Sequence, residues 1–159
     1  MDYLFLQKDF DCLKQEQEKL LKKHKKIGQA LGEACGQSSE TYHDNAPYDD
    51  ALHNAKLNEE RLDHLGEIII NAKIIELPKK LLKKTRIGNL LKVVDENEQE
   101  QLYEIGSYIP FENKKNNKNI KLISYTSPLG KCLMNKKVGG ICVLKIKDSE
   151  KKLKILEIN

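Results

Sequence analysis

Two amphipathic patterns fill the first half of the chain and restrict it to a pair of long helices. In residues 3–34 and 51–72, one face repeats at alternating steps of three and four, which is typical of a coiled-coil seam. The first seam consists of Tyr3, Leu6, Phe10, Leu13, Gln17, Leu20, His24, Ile27, Leu31 and Ala34. The second consists of Ala51, Ala55, Asn58, Leu62, Leu65, Ile69 and Ala72. For the first helix, two starts are open: Asp9 caps a helix that begins near Phe10, or the helix begins earlier.

The polar, acidic stretch between these patterns, residues 38–50, predicts the tip of an antiparallel helical hairpin. Gly36 is typical of a helix end, and Pro47 suits the first turn of the returning helix, with Asp44 or Asn45 as its N-cap. Two helices of about 27 residues give an arm about 40 Å long. Because a tip of this kind cannot build a core, its side chains are free to be selected for what they contact.

After Pro78 the pattern changes to short apolar segments separated by turn residues, which predicts a small sheet with one short helix. The five predicted strands are 87–94, 101–109, 120–125, Ile141–Ile146 and 153–158. Ser127 as cap and Pro128 at the first helical position predict a short helix that continues to Met134. A loop is predicted at 113–119 and a hairpin turn at 148–150.

Composition excludes several classes of protein. Charged residues make up 33% of the chain, which suits an elongated, solvated element, whereas a net charge of +4 does not imply a protein that coats nucleic acid. No apolar run approaches the roughly 18 residues needed to span a bilayer. The first residues carry no basic signal-peptide region. We therefore expect a cytoplasmic protein without a membrane partner.

The four cysteines, Cys12, Cys35, Cys132 and Cys142, form no CxxC pair, so the sequence does not predict a zinc site. On one helix, Cys12 and Cys35 would lie about 35 Å apart and could not bridge each other. We expect a cytosolic protein with four reduced thiols, which are either packed in the interior or without a functional role.

Two sets of motifs stand out in the sequence. The tip and the returning helix carry Asp44-Asn45-Ala46-Pro47-Tyr48, then Glu60-Arg61-Leu62, then Asn71-Ala72-Lys73-Ile74-Ile75-Glu76. The C-terminal half carries Ser127-Pro128-Leu129-Gly130-Lys131-Cys132-Leu133-Met134-Asn135-Lys136-Lys137-Val138-Gly139. Together these motifs resemble the bacterial Gre family of transcript cleavage and transcription elongation factors. The resemblance implies an α+β fold, with an N-terminal antiparallel coiled-coil hairpin in residues 1–77 and a small FKBP-like β-sheet domain in residues 78–159.

The resemblance also implies a function. Gre factors bind RNA polymerase through the C-terminal domain and insert the coiled coil into the secondary channel. Acidic tip residues then help to hold the second Mg²⁺ of the polymerase active site and to position a water, and the polymerase cleaves the 3′ end of backtracked RNA. Mg²⁺ prefers hard oxygen ligands, so a carboxylate on a rigid arm suits this task. The expected protein is a monomeric accessory factor, not an enzyme by itself, and binds no metal when free.

Carried onto this sequence, the resemblance makes Asp44 the leading tip carboxylate and the Mg²⁺ ligand in the complex. Thr41 stands where the family usually has its first acid, and Glu40 is the nearby carboxylate that could substitute. Expected polymerase contacts are Asn45, Tyr48, Ser127, Pro128 and Leu133, the last three on an exposed apolar patch. For Asp44 a plain helix-capping role stays open.

The sequence is also compatible with alternative functions. Because Thr41 is a poor Mg²⁺ ligand, the chain could occupy the polymerase channel as a regulator or inhibitor that does not promote cleavage. A coiled-coil chaperone or a prolyl isomerase unconnected with polymerase is disfavoured. The isomerase needs a pocket lined by aromatic side chains, and the C-terminal half offers only Tyr103, Tyr108, Phe111 and Tyr125. A basic sector on the first helix is either a solvated face or a guide along RNA or the channel wall; it contains Lys19, Lys22, Lys23, Lys25 and Lys26.

Overall fold

The computed structural model describes residues 2–37, 46–77, 84–110, 119–146 and 149–159, and for residues 34–37, 46, 47, 146 and 149 it describes the backbone alone. Its elements are β1 (Tyr3–Leu6), α1 (Gln7–Gln37), α2 (Ala46–Ile70), β2 (Ala72–Ile75), β3 (Leu90–Asp95), β4 (Glu100–Gly106), β5 (Ile120–Ser124), α3 (Pro128–Leu133), β6 (Ile141–Ile146) and β7 (Ser149–Ile158). The predicted α+β class is confirmed. None of the described helices is both long and apolar enough to cross a bilayer.

Contacts divide the chain into a helical unit, Asp11–Ala72, and a β-rich unit formed by Asp2–Phe10 together with Lys73–Asn159. This division differs from the predicted boundary between residues 77 and 78. The difference arises because the N-terminal strand β1 pairs with β2, and β1 belongs to the β-rich unit together with all of β2 except Ala72.

The helical unit confirms the two seams. Every predicted seam residue from Leu13 to Leu31 in α1, and every one from Ala51 to Ala72, is buried or half-buried, whereas most residues between them are exposed. Leu13 and Ile68 are the most deeply buried apolar side chains of this unit, at 1% and 0% exposure. Pro47 lies in the first turn of α2, as predicted. The predicted caps of this helix, Asp44 and Asn45, lie outside the described residues.

The seam contains a polar break at Asn58. Its Nδ2 donates to the carbonyl oxygen of Leu20 at 3.1 Å, while its Oδ1 is buried without a hydrogen-bond partner. Nδ1 of His24 is likewise buried and unpartnered. Polar residues in a coiled-coil seam lower stability and favour one register, so we interpret His24 and Asn58 as residues that set the register of this seam.

We expect Asn58→Leu to stabilise the helical unit by about 1 kcal/mol, because the substitution removes a buried, unsatisfied acceptor and adds apolar contact. Thermal unfolding followed by circular dichroism at the helical band measures the change. The matched control is Asn54→Leu, since Asn54 is exposed and its Nδ2 donates to the Asp50 carbonyl within the same helix. A destabilised Asn58→Leu protein would contradict this account of the seam.

At the start of the chain, the earlier of the two predicted helix starts is confirmed, because α1 begins at Gln7, so that Asp9 lies in its first turn and is not the N-cap. The seam prediction is wrong for Tyr3 and Leu6, which match the heptad spacing but belong to strand β1. The buried Asp9 carboxylate accepts a hydrogen bond from the Ser107 hydroxyl, which in turn accepts the backbone N–H of Leu6 at 2.8 Å. This network between β1, α1 and the end of β4 favours a strand where the spacing alone indicated a helix.

The β-rich unit also contains a five-stranded sheet in the order β5-β4-β3-β7-β6. Its neighbours pair antiparallel except β4 and β5, which are parallel. All five predicted strands are present; Ile141–Ile146 has the predicted bounds and the other four have shifted ends. The last strand begins at Ser149, so the predicted turn at 148–150 is in part strand. Asp148 and residues 113–118 of the predicted loop lie outside the described part.

The hydrophobic core of this unit includes Leu133 of α3 and residues of the sheet. These sheet residues include Leu91, Val93, Ile105, Leu153 and Ile155.

Within this unit, Asp95 closes the turn between β3 and β4. Its Oδ1 accepts the backbone N–H groups of Gln99 and Asn97, each at 3.0 Å, and Lys151 Nζ lies 3.4 Å from its Oδ2. These interactions, the Gln99 N–H first, lower the pKa of the Asp95 carboxyl below its ordinary value. The stabilisation is therefore complete above about pH 4 and is lost as the pH falls through the lower folded pKa.

For this reason, Asp95→Asn is expected to make the stability of the β-rich unit depend less on pH below about pH 4. Denaturant unfolding at a series of acidic pH values measures this dependence. Glu98→Gln, a neutralisation in the same turn, is the control and is expected to keep the wild-type dependence. An Asp95→Asn protein with the full wild-type loss of stability in acid would show that this carboxylate is not responsible.

A disulfide corrects the cysteine prediction. Cys132 of α3 and Cys142 of β6 are bonded, with their Cα atoms 5.5 Å apart. The expectation of four reduced thiols is therefore wrong for this pair, because the fold brings together two cysteines that are ten residues apart in sequence. Cys12 is a free thiol.

Candidate functional site

The first part of the candidate site is the connection between α1 and α2. The predicted residues Glu40, Thr41, Asp44 and Asn45 all fall in 38–45, outside the residues that the structure describes. The flanking elements are described: α1 continues to Gln37 and α2 begins at Ala46. The predicted tip sequence therefore lies in the short connection between two long helices.

On the α2 side of this connection, the first turn presents exposed negative charge. Asp49 and Asp50 are both exposed, which suits carboxylates near a helix N-terminus because they complement the helix dipole. Tyr48, predicted to contact the polymerase, is half-buried and has interactions within the protein. Across the described ranges, no group of three or more His, Cys, Asp or Glu residues is placed to hold a metal ion.

The second part of the candidate site is α3. The Ser127 hydroxyl caps this helix, because its Oγ accepts the Gly130 N–H at 3.0 Å and donates to the Ser124 carbonyl at 2.7 Å. Pro128 follows at the first helical position and is exposed, so it is available for contact. The predicted helix is confirmed, with a structural role for Ser127.

Leu133 corrects the prediction of an exposed apolar patch at 127–134. Its side chain is 0% exposed and lies in the core of the β-rich unit. A helix of six residues is too short to show which side faces the sheet, so the sequence did not reveal this orientation. The exposed apolar side chains nearby are instead Val138, Ile141 and Val143, at 59%, 55% and 44% exposure.

Sequence reasoning missed Thr85, which holds the C-terminal end of α3. Its buried hydroxyl donates to the Leu133 carbonyl and accepts the Lys136 N–H at 2.9 Å. Its backbone N–H donates to the Lys136 carbonyl at 2.7 Å, and its carbonyl accepts the Asn135 N–H at 3.0 Å. A single threonine outside any periodic pattern carries no sequence signal for such a role.

Aromatic side chains of the β-rich unit are used for internal packing. Tyr103 is buried in the core, the Tyr125 hydroxyl accepts the Leu4 N–H at 3.1 Å, and the Tyr108 ring packs on Tyr3 at 4.3 Å between centroids. Phe111 lies outside the described residues. These three contacts give no support to an isomerase pocket.

The basic sector of α1 is solvated. All five of its lysines are exposed, and Lys19 pairs loosely with Glu16 at 3.8 Å. Exposure of this kind is what a solvated coiled-coil face requires. Guidance along RNA or a channel wall stays a prediction.

Comparisons with known proteins agree with this architecture. The family described as "Transcription elongation factor, GreA/GreB, C-term" matches residues 81–159. The chain is 36% identical over 119 residues to the transcription elongation factor GreA of Thermoanaerobacter pseudethanolicus, which covers 72% of this chain and 71% of that protein. It is 29% identical over 157 residues to GreA of Clostridium botulinum, which covers 97% and 89%.

Among solved structures, GreA factor homolog 1 of Thermus thermophilus covers 100% of this chain and 99% of its own, with 19% identity and a TM-score of 0.46. The relative with 36% identity is aligned over more than two thirds of both chains, which is sufficient to show the family of this chain. The chain belongs to the GreA/GreB family of transcription elongation factors.

Proposed function

We propose that this protein binds RNA polymerase, inserts its helical hairpin into the secondary channel and stimulates cleavage of backtracked RNA. The observation that supports the proposal is a pair of long helices, α1 ending at Gln37 and α2 beginning at Ala46, that face each other through a seam of buried and half-buried residues. In the sequence, Asp44 and its neighbours fall between these helices. A paired-helix arm of this kind can deliver a carboxylate to a site that a globular surface cannot reach.

At the active site, the Asp44 carboxylate would offer a hard oxygen to the Mg²⁺ that belongs to the polymerase and would orient the attacking water near the 3′ end of the RNA. The metal, when bound, lowers the pKa of water and stabilises the charge that develops on phosphate. Thr41 can hydrogen-bond a water, and Glu40 is one residue away as a second carboxylate. Tyr48 and Asn45 would support the tip against the channel wall.

Docking is assigned to the β-rich unit. Pro128 on α3 and the exposed apolar residues Val138, Ile141 and Val143 form its candidate polymerase contact. Ser127 contributes by capping α3, and Leu133 contributes by anchoring that helix in the core. The protein would act as a cytoplasmic monomer and an accessory to the polymerase, with no catalytic activity when alone.

A second candidate function is occupancy of the secondary channel without stimulation of cleavage. Thr41 supports this alternative, because a hydroxyl is a weaker ligand for Mg²⁺ than the carboxylate usual at that position in the family. The two functions share polymerase binding and differ only in what happens to the RNA.

The test uses stalled, backtracked elongation complexes with labelled RNA, incubated with and without the wild-type protein at one Mg²⁺ concentration. Binding is measured by co-migration with the polymerase and cleavage by RNA length. We expect binding and shortened RNA that can be extended again. Binding with intact RNA would establish the channel regulator instead, and absence of binding would overturn both functions.

A further inference from the structure

The cysteine pair in the β-rich unit is asymmetric in its access to solvent. Cys142, on β6, is 0% exposed and belongs to the hydrophobic core. Cys132, on the short helix α3, is half-buried and retains solvent contact. A small thiolate from solution can therefore reach the sulfur of Cys132 but not that of Cys142 while the unit is folded.

The reduced pair also fits the fold. The Sγ of Cys132 lies 3.5 Å from the Val143 carbonyl oxygen, so a thiol there has an acceptor in place. Cys142 is surrounded by the apolar core, where a free thiol packs as a small hydrophobic group. Since the cap at Ser127, the Thr85 hydrogen bonds and the burial of Leu133 all hold α3 independently of the disulfide, both redox forms can fold.

We propose that Cys132 and Cys142 form a reversible redox site that exchanges with low-molecular-weight thiols and disulfides such as glutathione. In reduction, a thiolate attacks Sγ of Cys132, the protein S–S bond breaks, and Cys142 leaves as a thiolate that takes up a proton. A second thiolate attacks the outer sulfur of the mixed disulfide, which releases Cys132 and one molecule of disulfide. Oxidation is the reverse, with two electrons passing from the dithiol to the small disulfide.

The consequence is a docking unit whose rigidity depends on redox state. The bond joins α3 to the edge strand β6, which carries the exposed residues Ile141 and Val143. Oxidation closes a short loop and restricts the unfolded chain, so the oxidised unit is expected to melt roughly 10 °C above the reduced one. This inference does not depend on polymerase binding.

The first experiment equilibrates the full-length protein, with Cys12 and Cys35 replaced by serine, at graded ratios of reduced to oxidised glutathione. Free thiols are trapped by alkylation and counted by mass spectrometry, and melting is followed by near-ultraviolet circular dichroism. We expect a reversible two-thiol transition and the stated shift in melting temperature. Failure of oxidised glutathione to form the bond, failure of reduced glutathione to open it without denaturant, or equal melting temperatures would each overturn the proposal.

A pair of single variants tests the asymmetry. In Cys142→Ala, the remaining Cys132 is expected to form a mixed disulfide with oxidised glutathione. In Cys132→Ala, the buried Cys142 should react on the order of 100-fold more slowly, because it must wait for the unit to open. Equal rates in two folded variants would overturn the assignment of Cys132 as the entry point, and the melting curve of each variant establishes that it is folded.

Discussion

Replacing Asp44 with alanine is expected to reduce stimulated RNA cleavage by on the order of 10- to 100-fold, a range typical for groups that orient metal ligands and water. The reason is that the proposed arm delivers one leading carboxylate, and alanine offers no oxygen to metal or water. Binding to the polymerase should change little, because docking is assigned to the β-rich unit. The rate of RNA shortening in backtracked complexes measures the effect.

Matched variants separate the role of Asp44 from general negative charge. Asp49→Ala removes an exposed carboxylate from the nearby first turn of α2 and should retain cleavage. Thr41→Asp restores the acid usual in the family and should increase cleavage. If Asp44→Ala cleaves as fast as the wild type, the tip carboxylate is not at Asp44, and Glu40→Ala becomes the decisive variant.

Replacing Gly130 with alanine is expected to destabilise the β-rich unit by about 3 kcal/mol. A Cβ at this position would overlap the backbone carbonyl oxygen of Ser124 and lie 3.0 Å from the Ser127 Oγ that caps α3. Backbone cannot rotate away as a flexible side chain can, so either the helix or the end of β5 must shift. Denaturant unfolding followed by near-ultraviolet circular dichroism of the tyrosines measures the loss.

The control for this prediction is a glycine with free space. At Gly28, in α1, an added Cβ meets nothing within 4 Å, so Gly28→Ala should stabilise the helical unit by about 1 kcal/mol through helix propensity alone. Opposite signs for the two glycine substitutions are the expected pattern. A Gly130→Ala protein within about 0.5 kcal/mol of the wild type would contradict the close packing of α3 against β5.

Periodicity predicted the parts of the fold that repeat. The seam residues of both helices and all five strands of the larger sheet follow from spacing that the structure reproduces. The pair β1–β2 was missed because Tyr3 and Leu6 happen to continue the heptad, and four-residue strands are too short to show their own period. Only the long-range pairing of these strands identifies them.

Contacts between elements that are distant in the chain could not be predicted from the sequence. The burial of Leu133, the Cys132–Cys142 bond and the bonds made by Thr85 all depend on how α3 meets the sheet. No local sequence pattern indicates how α3 packs on the sheet. Asp44 differs from these contacts, because the sequence indicated it through its resemblance to a family signature. The physical argument explains only why a carboxylate on an arm suits Mg²⁺.

The central claim is that the tip of the helical hairpin reaches the polymerase active-site metal. The direct measurement replaces the active-site Mg²⁺ of an elongation complex with Fe²⁺, adds peroxide, and maps where hydroxyl radicals cut the end-labelled protein. The account predicts cuts clustered in residues 38–50, and none in residues 84–159. Cuts confined to the β-rich unit, or no cuts despite saturated binding, would contradict it.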